Sequence, residues 1–445
     1  MTYSFIRDKR LPLISARCAA ATASTASSQA AARIQHLISP DGIEAWFVQD
    51  ATVPLIAMEY AFAGGAAQDP AGKPGVANLV ANLLDEGSGD LDAKTFQGRL
   101  ERRAIQLSFS AGHDEVRGSL RMLRDNKDEA FDLLRMALIS PHFEAADVER
   151  IRSQVISCLH HETTDPTALA SRKLWEIAFG DHPYGRQVNG TIESVPTITV
   201  ADLKDYVGRV LAKDTLKIAV VGDVDPATLG KLLDQSFGAL PAKAQLKPVA
   251  DVEAAAPPRL AYVPLDVPQT AISFGGPGVK RSDPDFMAAY IVNHIVGGAG
   301  LSSRLHREVR EKRGLAYSAS EWLVWMEHSA LYIGSTGTRG DRAGETIDAI
   351  ESELCRIAQE GPTQKELDDA KSYLKGSQML ELDTSSKLAH VLLHYQIDKL
   401  PIDYTAKRNA IIDAVTLEDA SKAARRLWGQ GLLTAMVGRA TRAAA

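Results

Sequence analysis

The chain repeats itself once, and that limits what it can fold into. Val53-Pro54 recurs as Val267-Pro268 (267 − 53 = 214), and Asp69-Pro70 recurs as Asp283-Pro284 at the same offset. "ITVADL" (198–203) resembles "AVTLED" around Thr416, at 416 − 199 = 217. "VVGD" ending at Asp223 resembles "MVGR" ending at Arg439, at an offset of 216. A period near 215 is too long for a solenoid unit. It implies two homologous halves, each large enough to bury its own core.

The joint between them reads from composition. "PAKAQLKPVADVEAAAPPRL" (241–260) has four Pro, many Ala and no apolar period, as a linker should. The halves are then 34–240 and 261–445. Each runs alternating strands, a helix, a helix–strand section, long helices and a late strand. Without strict βα alternation, this predicts an α+β fold with helices packed on a mainly antiparallel sheet.

Residues 1–33 stand apart. Arg7, Lys9 and Arg10 precede "LPLISA" and an Ala/Ser-rich stretch, like a basic leader with a weak apolar region. This segment reads either as a disordered tail or as a signal-like one. Arg17 directly before Cys18 argues against a lipoprotein site. Three cysteines (Cys18, Cys158, Cys355) form no CxxC pair and no disulfide framework. A net charge of −6 argues against a nucleic-acid binder, and no apolar run reaches a membrane span.

"GKPGVANLVANLLDEGSGD" (72–90) enters through glycines and becomes a helix. Val76, Leu79, Val80 and Leu83 form one apolar stripe at i, i+3, i+4 and i+7. Asn78, Ala81 and Asn82 fall on the other side. Two Asn one turn apart are poor helix formers.

His160, His161 and Glu162 form the one local cluster of metal-type ligands. Adjacent helical residues point about 100° apart, so both His cannot face one ion. Cys158, His161 and Glu162 share a face, which reads as the exposed side of a long helix or as an isolated site. There is no G-x-S-x-G elbow, and "GSTGTRG" (334–340) lacks a phosphate-loop lysine; it reads as a strand end and turn. "SSRLHREVREKRGLAYS" (302–318) reads as a basic helix closed by Gly314, with Arg310 in its last turns and Tyr317 opening a strand. Helix-dipole and strand preferences explain both residues without a function.

Several stretches together resemble the pitrilysin/insulinase family, the inverzincin metallopeptidases. They are "FAGGAAQDPAGKPGVANLVANLLDEGS", "DHPYGRQVNGTIESVPTIT", "VVGDVD" and "IVGGAGLSSRLHREVREKRGLAYS". The resemblance runs from about Ile34 to near the end. It points to the short bacterial and mitochondrial-processing-type branch, whose two-half subunits pair into clams. Active members carry H-x-x-E-H on the helix after the glycines, where two His bind zinc and the Glu activates water. On this sequence the first His falls on Asn78, the Glu on Ala81 and the second His on Asn82. A further Glu ligand falls on Cys158. The resemblance therefore implies no zinc and no autonomous peptide hydrolysis in this chain.

The family also uses an Arg and a Tyr seven residues apart to bind the substrate carbonyl, and Arg310 and Tyr317 match that pattern. In two-subunit members the zinc lies in one subunit and the Arg/Tyr pair in its inactive partner. The implied function is a non-catalytic subunit completing the site of a zinc-bearing homologue with H-x-x-E-H, around a peptide substrate. The alternatives are a structural or assembly subunit without peptidase activity, and an enzyme with a relocated site at Cys158, His161 and Glu162. The leader and the resemblance together suggest the periplasm, with the cytoplasm as the alternative.

Overall fold

The computed structural model describes residues 34–439; the leader-like segment with Cys18 lies outside them. The first half contains β1 (Gln35–Ile38), β2 (Glu44–Gln49), β3 (Leu55–Ala63), α1 (Val76–Leu83), α2 (Ala93–Arg102), β4 (Gln106–Ala111) and β5 (Glu115–Leu123). It continues with α3 (Lys127–Ile139), α4 (Ala145–Glu162), α5 (Pro166–Phe179), α6 (Val200–Val210), β6 (Lys217–Gly222) and α7 (Pro226–Phe237). The second half begins with β7 (Arg259–Pro264), β8 (Gln269–Pro277), α8 (Phe286–Asn293), the short α9 (Arg304–His306), β9 (Ala316–Trp325) and β10 (Ala330–Arg339). It ends with α10 (Ala343–Glu360), α11 (Gln364–Glu381), α12 (Ser385–Ile397), α13 (Tyr404–Ala414), α14 (Leu417–Trp428) and β11 (Leu433–Gly438).

The two sheets run β1-β2-β6-β3-β5-β4 and β7-β11-β8-β10-β9. With β1 set aside, the orders superimpose strand for strand. In each, the late strand pairs parallel with the first common strand and antiparallel with the next. The remaining pairs are antiparallel. The α+β architecture with two homologous halves is therefore as the sequence predicts.

The repeat extends to side-chain detail. Tyr60 pairs with Gly118 across β3–β5, and Phe274 pairs with Gly334 across β8–β10. In each pair the aromatic ring lies over the glycine. A Cβ on either glycine would come within 2.1 Å of the ring. The two Thr motifs are capping boxes, Thr199 with Asp202 opening α6 and Thr416 with Asp419 opening α14.

Each half covers one face of its sheet with its own helices. The opposite face is covered by a helix from the other half. Leu388, Ala389, Leu392 and Leu393 of α12 pack on Val48, Ala61, Ala219 and Val221 of the first sheet. Reciprocally, Leu174 and Ala178 of α5 pack on Leu331, Ile333, Leu433 and Ala435 of the second. The halves are thus locked by exchanged helices.

Residues 241–258 carry no helix or strand, but they are tied down. The Val252 N–H donates to the His328 carbonyl (3.0 Å) and the Ala255 N–H to the Ala178 carbonyl (2.8 Å). The predicted linker is a strap across the junction. Beside it Asp114 accepts from the Tyr184 hydroxyl (2.6 Å) and from the Glu327 N–H (3.0 Å), joining the β4–β5 and β9–β10 hairpin tips. Among the described residues no helix is long and apolar enough to cross a membrane.

Candidate functional site

Two places bear on chemistry. The first is α1. Its amino end is set by Asp69, whose carboxylate accepts from the N–H groups of Gly75 (2.7 Å) and Ala77 (2.8 Å). Burial pushes the Asp69 carboxyl up to about 7, against these bonds. Val76, Leu79, Val80 and Leu83 are buried, as the stripe requires.

The other side is less uniform than its sequence suggests. Asn78 is half-buried and Asn82 exposed, but Ala81 is only 1% exposed. Ala81 therefore does not lie on a polar side. It is closed in because α1 packs on α6, α4 and β4. Asn82 Nδ2 donates to the Asn78 carbonyl (2.7 Å) and to Asn78 Oδ1 (3.2 Å). The Asn82 amide N–H groups are thus directed back at Asn78 within the helix.

The flanking acids are also engaged. Glu86 pairs with Arg150 of α4 (2.6 Å), which also holds Asp147 (2.9 Å). Burial raises the Asp85 carboxyl, which accepts from Gln97 Nε2 (3.1 Å). Cys158 is exposed on α4. Among the described residues no three of His, Cys, Asp and Glu come together as metal ligands. Cys158, His161 and Glu162 do not form such a group. The donor set at Asn78, Ala81, Asn82 and Cys158 does not fit zinc: two amides bond each other, one position has no functional group, and a single thiol remains.

The second place is the 303–317 segment. Ser303 caps the turn, with Oγ accepting from the His306 N–H (3.3 Å). One α-turn (Arg304–His306) runs into a π-helical turn (Arg307–Lys312). Such widened turns occur often at functional sites. Leu305 and Val309 are fully buried.

A buried ion network fixes this turn. Arg304 forks onto Glu366 through Nε (2.8 Å) and Nη2 (2.6 Å), and reaches Glu353 at 3.4 Å. Glu353 also pairs with Arg356. Glu308 takes Lys312 (2.6 Å) and Arg356 (3.3 Å). Burial opposes charge on Glu366, yet hydrogen bonds from Arg304 and the Thr363 cap hold its carboxyl at about 2. The network ties the turn to α10 and α11.

The turn closes at Gly314, whose φ of 59° is left-handed as a helix stop requires. The Leu315 N–H donates back to the Val309 carbonyl (2.8 Å), and Thr338 Oγ1 donates to the Leu315 carbonyl (2.7 Å). β9 then starts at Ala316. This geometry brings Arg310 and Tyr317 together: the Arg310 guanidinium carbon lies 4.3 Å from the Tyr317 ring centroid. Arg310 is half-buried and Tyr317 is 77% exposed. Arg310 Nη1 donates to His306 Nε2 at 3.3 Å. Among the described residues, no other hydrogen bond engages the Arg310 guanidinium or the Tyr317 hydroxyl. Sequence reasoning passed over His306; its signal was a ring-nitrogen acceptor one helical turn before Arg310.

Further along β9 from Tyr317, Glu321 is buried and hydrogen-bonded by Asn293 Nδ2 (2.8 Å) and Trp428 Nε1 (3.1 Å). Burial pushes its carboxyl up to about 8, so it is mostly protonated at neutral pH.

Residues 49–192 match the sequence profile described as insulinase (peptidase family M16), and residues 197–374 match the one described as the peptidase M16 inactive domain. The chain belongs to the M16 peptidase family. A non-peptidase homologue from Helicobacter pylori is 27% identical over 378 residues, covering 84% of this chain and 87% of that one. An uncharacterized zinc protease from Mycobacterium tuberculosis is 28% identical over 382 residues, covering 84% and 86%. Among solved structures, a peptidase M16 inactive domain from Pseudomonas fluorescens superimposes with a TM-score of 0.86 at 28% identity, covering 93% and 99%. M16 chains of this length thus include both zinc proteases and non-peptidases. The chain resembles a non-peptidase homologue and an M16 inactive domain as well as chains described as zinc proteases.

Proposed function

We propose that this chain is the non-catalytic subunit of a heterodimeric M16 endopeptidase. It forms one wall of a peptide-enclosing clam and completes the active site of a homologous subunit bearing H-x-x-E-H. Zinc belongs to that partner. Asn78, Ala81, Asn82 and Cys158 are the remnant of this chain's own site.

One observation carries the reading: a cation stacked on an exposed Tyr, with one donor given to His306 and no other hydrogen bond among the described residues, on a turn anchored by a buried ion network. An exposed Tyr stacked on Arg contributes about 0.5–1 kcal/mol to folding. Stability alone does not call for such a scaffold beneath it. Preorganised donors aimed at developing negative charge are the usual means of stabilising a tetrahedral oxyanion. Arg310 supplies guanidinium N–H groups and Tyr317 a phenolic O–H. In the assembled clam they hydrogen-bond the carbonyl oxygen of the scissile bond as its charge develops. The peptide lies along an exposed sheet edge of the partner, which reads backbone rather than sequence.

The test is copurification followed by assay. A tagged chain should bring down a homologue with H-x-x-E-H, and only the pair should cleave peptides. A stable complex that lacks any such homologue would favour an assembly role instead. The leader-like segment supports a periplasmic pair, to be checked by fractionation of cells expressing the full chain.

A further inference from the structure

Arg310 is held from two sides. The guanidinium carbon lies 4.3 Å from the Tyr317 ring centroid, and His306 Nε2 lies 3.3 Å from Nη1. We propose that His306 is a positioning residue that holds the Arg310 guanidinium over Tyr317 by accepting from it as a neutral imidazole. The inference rests on the reading of Arg310 and Tyr317 given above.

Guanidinium has donors and no acceptor. A ring nitrogen that meets it must therefore present a lone pair. That places the His306 proton on Nδ1. His306 is 6% exposed, so its ring orientation is set by its surroundings. Its Nδ1 has no hydrogen-bond partner among the described residues, and the nearest carboxylate oxygen, on Glu311, is 3.9 Å away. The elements packed on this turn are α10, β9 and the 294–298 turn. Among the described residues none of their side chains hydrogen-bonds the His306 ring. Glu353 binds Arg304 and Arg356, Glu321 accepts from Asn293 and Trp428, and His294 stacks on Tyr373. Among the described residues, the one hydrogen-bond partner of the buried His306 ring is thus Arg310.

A purely structural residue at this site would be apolar, because the ring leaves a buried nitrogen unpaired. What imidazole adds over an apolar ring of similar size is an acceptor for Nη1. The long Arg side chain loses much rotamer freedom when fixed. With its ring stack alone, the guanidinium can slide across the face of Tyr317. With His306 accepting from Nη1, that end of the guanidinium is fixed, and its other N–H groups make no hydrogen bond among the described residues. His306 makes no contact with substrate in this account and acts only through Arg310.

The experiment uses the full chain, alone and reconstituted with its partner. His306→Phe fills the space without an acceptor, and should lower kcat of the complex about tenfold while KM stays within twofold. His306→Gln restores an acceptor near the Nε2 position, and should recover at least half of the lost kcat. In the isolated chain, nitrogen NMR of labelled histidine at neutral pH should show His306 with Nε2 unprotonated, and Arg310→Ala should shift that resonance. Unchanged kcat in folded His306→Phe beside an impaired Arg310→Ala complex would overturn the positioning role. So would an Nε2–H tautomer, or a Gln variant no better than Phe. If Arg310→Ala leaves the complex fully active, the proposed function fails instead, and the NMR result still judges the His306–Arg310 contact.

Discussion

Arg310 and Tyr317 stand on different elements, a π-helical turn and a β-strand, yet the guanidinium carbon lies 4.3 Å from the ring centroid. The left-handed Gly314 between them turns the chain so that seven residues of separation become a stacking contact. Tyr317 is 77% exposed, so the pair contributes little to the core. Tyr317→Phe keeps the stack and removes only the hydroxyl. Its effect on unfolding free energy should be under about 1 kcal/mol by denaturant titration. A larger loss would mean that the hydroxyl has a structural partner.

Glu366 anchors the turn that carries Arg310. Its carboxyl is held at about 2, below the ordinary 4.5. A depressed folded value means that its stabilising contribution is complete above the ordinary value and is lost as pH falls towards 2. Glu366→Gln leaves Arg304 without its forked partner while Glu353 remains. This should cost on the order of 3 kcal/mol at neutral pH, and the cost should shrink under acid. Thermal unfolding across that range checks both the magnitude and the sign.

Glu321 behaves in the opposite way. Its carboxyl is raised to about 8 from the ordinary 4.5. The folded state holds the proton more tightly, so the contribution is complete below 4.5 and is lost as pH rises through 8. Wild type should lose up to about 4 kcal/mol between about pH 5 and pH 9 from this group. Glu321→Gln, neutral throughout and still an acceptor for Asn293 and Trp428, should lack that slope. Parallel pH profiles for the two proteins would refute the assignment.

The exchanged helices make a separate prediction. Leu392 of α12 is fully buried against the first sheet. Leu392→Ala should destabilise the chain by about 2–5 kcal/mol. Because the site lies between the halves, limited proteolysis should cut the strap at 241–258 earlier than in wild type. If cleavage elsewhere accelerates equally and the strap gains nothing, the exchange does not hold the halves together.

Much of this was legible in the chain. The Thr199 and Thr416 repeats proved to be matching capping boxes, and "VVG" and "MVG" end matching strands, β6 and β11. Local signals sufficed there because capping and alternation act over a few residues. The exchange of α5 and α12 was not legible. Leu388, Ala389, Leu392 and Leu393 give an apolar face, but nothing local says which sheet receives it. Tyr60 over Gly118 and Phe274 over Gly334 escaped for the same reason, since each partner lies on another strand. At the candidate site, the stop at Gly314 and the strand opening near Tyr317 were readable. The burial of Ala81 was not, because it follows from packing by α6, α4 and β4. Nothing local marks Glu321, because Asn293 and Trp428, which donate to it, come from distant helices.

The central claim is that this chain lends two donors to a partner's active site. The most direct measurement is kcat of the reconstituted complex carrying Arg310→Ala together with Tyr317→Phe, at subunit concentrations where assembly is verified. Removing one oxyanion donor typically costs about 10²–10³-fold in kcat. The double variant should lose at least about 10²-fold, with assembly unchanged and each subunit inactive alone. A fully assembled double variant that cleaves peptide at the wild-type rate would contradict the account.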